Sequence, residues 1–188
     1  VPLADSWRRR LVVGGLVLAW GGLWLTRVAW ERTMLAHMGA QLPLLALLGV
    51  LGVWAATTVP RIAAYARSDW GLPTAILCSA VLAVWMVPRL LDAAVELVAI
   101  DALKFVTVPG SAGLLTLVLR TARPPVQLFV AGNLAFMTAV VGKVLIDSPT
   151  RVCVSYGDAD QRLAGAALIA LVLVLTTIIA LRHRRLRW

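Results

Sequence analysis

The sequence predicts an all-α fold: a polytopic transmembrane helix bundle of about six spans, one domain over residues 1–188, with both termini cytoplasmic. Three observations lead there. The chain is 61% hydrophobic and only 14% charged over 188 residues, whereas a soluble domain of this length carries more charge and shorter apolar runs. Crossing a hydrocarbon core takes about 20 apolar helical residues at a rise of about 1.5 Å each, and such runs fill most of the chain. The positive residues stand in short runs between them, which is how membrane topology is encoded. The net charge of +9 therefore reads as topology, and no nucleic-acid motif accompanies it.

The first span is expected at 11–30. Arg8, Arg9 and Arg10 precede it, and the run is too long for a cleavable signal peptide and lacks a small-residue cleavage site, so it reads as its own signal anchor. The second lies at 34–59, with Pro43 as an expected kink. The third lies at 72–91, with Pro88 near its end. The fourth, 93–118, carries Glu96, Asp101 and Lys104 in its first half and Pro109-Gly110 as an expected bend. The fifth lies at 126–146. The sixth, 163–181, is the most featureless and is expected to face lipid most fully.

The connections sort by charge. Arg8 to Arg10, Arg61 and Arg67, Arg120 and Arg123, and Arg182, Arg184, Arg185 and Arg187 fall on one side if the spans alternate. The other side carries Arg32, Arg89, Arg151 and Arg162, offset by Glu31, Asp92, Asp147, Asp158 and Asp160. The positive-inside rule makes both termini cytoplasmic, as an even number of spans requires. Trp7, Trp30, Trp70 and Trp188 sit at span ends, where indole favours the headgroup zone. Trp20, Trp24, Trp54 and Trp85 lie deeper and read as packing groups. Gly14, Gly15, Gly21, Gly22, Gly49 and Gly52 permit close helix contact.

Polar residues concentrate in the outer half of the expected bundle. Met34, His37 and Met38 are three or four apart and share a helix face. Thioether and imidazole form a soft donor set suited to Cu(I), which Met86 or Met137 would extend. The competing reading is that methionines fill irregular helix interfaces while one histidine is hydrogen-bonded in the core. Arg89, Asp92, Glu96, Asp101 and Lys104 form an intramembrane charge cluster. Asp101 can neutralise Lys104 one turn away, and Glu96 can neutralise Arg89. Such charges mark an ion or proton path, a buried ion-pair network, or contacts to a partner subunit. Both signs occur in similar number, which favours internal pairing.

Other chemistries find little footing. The topology separates Cys78 from Cys153, so an internal disulfide is not expected. Haem held by two histidines would need His183, in the cytoplasmic tail, to meet His37. No nucleophile–base–orienter set, phosphate-cradling glycine loop or zinc spacing occurs.

Four segments between residues 33 and 175 resemble the CtaG-type membrane proteins that assist assembly of cytochrome c oxidase. Thr33-Met34-Leu35-Ala36-His37-Met38 is similar to their His-Met-x-x-His-Met run. Trp85-Met86-Val87-Pro88 followed by Asp92-Ala93-Ala94 is similar to a Trp-His-x-Pro run followed by Asp-Ala-Ala. Asp101-Ala102-Leu103-Lys104-Phe105 stands where the family has paired histidines. Tyr156-Gly157 and Asp160-Gln161 through Gly165 resemble an outer-loop motif. Only His37 of the histidine set is retained; Thr33, Met86, Asp101 and Phe105 occupy the other positions.

The resemblance implies a retained scaffold with a mostly erased ligand set. It leads to the expectation of a non-catalytic accessory or assembly subunit in a bacterial inner membrane. Its partners would be the lipid bilayer and the subunits of a copper-dependent membrane oxidoreductase, either a terminal oxidase or a membrane monooxygenase. The alternatives are a copper-handling chaperone using Met34, His37, Met38 and Met86, or a small-ion or proton channel built round Glu96, Asp101 and Lys104.

Overall fold

The computed structural model describes residues 3–56, 71–120 and 122–185. The expected end of the second span (57–59), the Arg61 and Arg67 connection, Trp70, Arg187 and Trp188 lie outside the described residues. All regular structure among the described residues is helical. Helix α1 (Leu3–Leu25) is followed by the short α2 (Arg27–Trp30), a π-helical stretch (Leu35–Gln41) and α3 (Leu42–Ala56). Then come α4 (Gly71–Val84), α5 (Pro88–Glu96), α6 (Val98–Leu119), α7 (Pro124–Asp147) and α8 (Asp158–Arg185).

Four described segments are long and apolar enough to cross a membrane: Leu35–Ala55, Val98–Leu119, Pro124–Asp147 and Asp158–Thr177. Helices α4 and α5 would together make a fifth, bent by 70° at the break between them. The expected first span falls in α1, whose helix already includes residues 8–10. This is a multi-pass helical membrane protein. Its flanks expose large apolar side chains such as Leu18, Leu25, Phe129 and Phe136, which water would penalise and lipid tails accept.

Prolines shape the helices differently from expectation. Pro88 forces Val87 into an extended conformation (ψ 117°), because the proline ring excludes the helical region for the preceding residue. The expected third span therefore ends at Val84, and its last residues fold sideways into α5. Pro109, by contrast, does not break α6, which runs through it. Its missing N–H leaves the Phe105 carbonyl four residues back without a helical donor, and the indole N–H of Trp20 donates to that oxygen at 2.9 Å. Trp20 and Trp24 also meet the Phe105 ring edge-on. Pro43 follows the π-helical turns, where the Leu42 N–H reaches five residues back to the His37 carbonyl. Widened turns of this kind recur at functional sites.

Close helix contact comes from fewer glycines than the sequence offered. A Cβ on Gly49 would lie 2.7 Å from the Pro109 carbonyl carbon and 2.8 Å from its Cα, so α3 and α6 touch backbone to backbone. Gly113 repeats this contact against the Gly49 oxygen at 2.9 Å. Gly142 and Gly165 do the same for α7 and α8, where added Cβ atoms would meet the opposite carbonyl oxygens at 2.8 and 2.5 Å. Gly14, Gly15, Gly21, Gly22 and Gly52 face open space. The Gly165 contact also corrects the expectation for the last helix. It is no more lipid-exposed than α7, since 22% of each segment is buried against 17% for Leu35–Ala55.

The core has two parts at opposite ends of the bundle. One gathers Met34, Met38, Trp85, Leu91, Phe105, Leu145 and Tyr156; the other gathers Ala75, Cys78, Leu115, Val118 and Val130. Trp85 is fixed by its indole N–H donating to the Thr107 hydroxyl at 2.8 Å. Trp54, expected as a packing group, is exposed, with the Arg120 guanidinium over its ring at 4.4 Å.

Candidate functional site

The four segments singled out in the sequence converge at the end of the bundle that holds the first core cluster. Asp160, at the start of α8, accepts the backbone N–H groups of Met34 and Leu35. A carboxylate there satisfies donors that the start of a helix leaves free and complements its dipole. Asp92 of α5 accepts the N–H of Val154 at 2.9 Å and of Ser155 at 3.3 Å. Gln161 accepts the Val152 N–H at 2.8 Å and donates to the Leu145 carbonyl at 3.1 Å. The connection between α7 and α8 is thus strapped over the helix ends by side chains from α5 and α8.

Beneath the strap, Lys104 is fully buried. Its Nζ lies 2.8 Å from Glu31 Oε1, 2.8 Å from Asp101 Oδ1, 2.9 Å from His37 Nε2 and 3.0 Å from Gln41 Oε1. Arg27 Nε pairs with the other Asp101 oxygen at 3.2 Å. Two carboxylates thus balance two cations, with Lys104, Asp101 and Glu31 withdrawn from solvent and Arg27 partly exposed. An ammonium has three N–H donors, and four acceptors surround this one. Glu31, His37 and Gln41 take the three hydrogen bonds, and Asp101 Oδ1 keeps only the ionic contact, buried without a hydrogen-bond donor. Gln41 Nε2 is likewise unpaired.

The same geometry fixes the imidazole. With Lys104 as an ammonium, His37 Nε2 accepts; the ring proton then sits on Nδ1 and donates to the Tyr156 hydroxyl at 2.8 Å. Burial, and then the nearby charge of Glu31, push the Tyr156 phenol far above its usual range. Tyr156 therefore stays protonated.

This arrangement does not fit copper. Both His37 nitrogens are engaged within the protein, and a metal cation at Nε2 would confront the Lys104 ammonium. Met34 and Met38 are buried in the apolar cluster. Met86 is half-buried elsewhere, its sulfur taking the Thr138 hydroxyl at 3.4 Å. Among the described residues no group of three or more His, Cys, Asp or Glu side chains is arranged to hold a metal ion.

The expected charge cluster also divides. Asp101 and Lys104 meet, but Asp92 holds the strap, and Arg89 and Glu96 are exposed on α5. The break before Pro88 is the cause: in place of the turn between spans expected near residue 92, a separate helix, α5, carries Arg89, Asp92 and Glu96 together. Arg27, Glu31 and Gln41 complete the buried set instead. Their signal in the sequence was a basic and an acidic residue four apart at the end of the first apolar run, and a glutamine one turn beyond His37.

Cys153 lies under the strap, fully buried, its thiol pushed up to about 12 by burial and secondarily by Asp92. At pH 8 only about one thiol in 10,000 is then ionised. Cys153 should resist a water-soluble maleimide, and Asp92→Ala, which frees two backbone donors and removes the neighbouring charge, should raise its labelling rate at least about tenfold. Unchanged labelling in Asp92→Ala would mean that the strap holds without that carboxylate.

No family model, curated protein or solved structure matches the chain.

Proposed function

We propose that this chain is a non-catalytic accessory or assembly subunit of a copper-dependent membrane oxidoreductase, a terminal oxidase or a membrane monooxygenase. It would sit in a bacterial cytoplasmic membrane with both termini on the cytoplasmic side. The observation that carries this reading is the closed environment of His37. The one histidine kept from the resembling motifs is turned from a soft metal donor into a link between Lys104 and Tyr156. A site of this kind supports shape rather than turnover. It ties together the α2–π-helix turn, the π-helical stretch, α6 and the strap, and so holds the strap's outward side chains in place. Val154 is 81% exposed at its crest, and Arg151 and Asp158 pair beside it at 3.1 Å. These groups are the natural contacts for a larger neighbour.

Purification from native membranes in mild detergent should recover the chain in stoichiometric amount with subunits of such an enzyme. His37→Ala should leave the copper content of the preparation unchanged. Recovery of the chain alone would overturn the subunit reading. About one copper per chain, lost in His37→Ala, would replace it with copper delivery.

A further inference from the structure

Helix α7 carries a seam that the fold does not use. Phe129, Asn133, Phe136, Val140, Lys143 and Asp147 are spaced by four, three, four, three and four residues, and each is exposed. That spacing has the 3.5-residue period of two helices packed side by side. The opposite side of α7 supplies its buried residues, Val130, Thr138, Gly142 and Leu145. The seam is therefore a second face of a helix whose first face is already occupied.

Asn133 gives the seam its meaning. It lies about 14 Å along a 24-residue helix, far from either end, and its carboxamide makes no hydrogen bond among the described residues. An amide left unpaired in hydrocarbon is unfavourable by several kcal/mol, and asparagine in apolar helices relieves this by bonding across to another helix. Gly132 beside it leaves space, since no atom lies within 4 Å of where its Cβ would be. At the far end of the seam, Val140, Lys143, Val144, Asp147 and Ser148 line a shallow groove of about 390 Å³.

We infer that this seam is a docking surface for a second copy of the chain, α7 against α7 about a two-fold axis. The polar group in the middle of the seam argues for self-association because it is its own complement. A carboxamide both donates and accepts, so Asn133 can pair with Asn133 of the second copy. Lys143 and Asp147 have opposite charge one turn apart and form an ion pair within the helix, so the seam brings no net charge against a second copy. Self-complementarity of one patch is what a two-fold contact demands.

The test uses the full chain in phosphatidylcholine vesicles at high lipid-to-protein ratio, with association read as energy transfer between fluorophores at the amino termini. Transfer above the random level is expected, and Asn133→Leu should weaken association on the order of 3- to 30-fold, while Asn133→Gln retains it. Asn133→Leu breaks no internal hydrogen bond, so lost transfer reports association rather than unfolding. Phe136→Cys should form a disulfide between copies under mild oxidation, and Leu163→Cys on α8 should not. Transfer at the random level, or Phe136→Cys cross-linking in native membranes only to a different polypeptide, would overturn the proposal; the second result would assign the seam to another subunit.

Discussion

Lys104→Met should destabilise the bundle by about 3–5 kcal/mol, the loss typical when one partner of a buried ion network is removed. Lys104 is the hub of four contacts at 2.8–3.0 Å from three different segments. Without it, Glu31 and Asp101 remain buried with only Arg27 against them, and His37 and Gln41 lose their donor. Unfolding in mixed detergent micelles at increasing dodecyl sulfate gives the measurement. Lys104→Arg should rescue little, because a planar guanidinium cannot present three donors in the directions that these acceptors occupy. Removing one charge of each sign, in Glu31→Gln and Lys104→Met combined, should recover part of the loss, since Asp101 then keeps Arg27 as its balanced partner. Equal destabilisation by the single and combined variants would show that the methylene stem of Lys104, not its charge, holds the site.

Gly49→Ala should be the next most damaging change, at about 2–3 kcal/mol or more. The added methyl would overlap the backbone of Pro109, and neither side has a flexible side chain to move. The helices α3 and α6 would have to separate, opening the contact that Gly113 makes with the Gly49 carbonyl one turn along. Gly52→Ala, three residues away with nothing within 4 Å of its Cβ, is the matched control. It should be neutral or slightly stabilising, because alanine favours a helix over glycine by up to about 1 kcal/mol. The same micelle titration separates the two; equal stability would mean that α3 and α6 are less closely held than this geometry requires.

The helical bundle was legible because apolar length and flanking arginines are one-dimensional signals. The site was legible only in part. Met34, His37, Met38, Asp92, Asp101, Lys104 and Tyr156 all reach one end of the bundle, and the i,i+3 spacing of Asp101 and Lys104 foretold their contact. Spacing along one helix cannot reveal a partner on another, so nothing in the sequence joins Glu31 and Gln41 to Lys104 or Arg27 to Asp101. A pairing of Arg89 with Glu96 presumes a turn between two spans near residue 92, whereas one helix, α5, carries both residues. Glycines posed the same difficulty. Gly14 and Gly49 look alike in sequence, and only the neighbour each faces decides which one brings two backbones together. Pro109 read as a break because the donor that replaces its lost hydrogen bond, Trp20, comes 85 residues earlier.

These long separations set an order of events during biosynthesis. Glu31 precedes Lys104 by 73 residues and His37 precedes Tyr156 by 119. At about 5–20 residues per second, roughly 4–15 s pass before the lysine is made and 6–24 s before the tyrosine. Through that interval Arg27, Glu31 and His37 have no bundle to enter, and ionisable groups in that position stay at the water interface. The first hairpin is therefore expected to wait shallowly in the bilayer until α6 arrives. Insertion of Lys104 would then draw the early polar residues inward in one concerted step. Closure of the strap by Tyr156 and Asp160 would come last, locking the early polar residues at the depth they have reached.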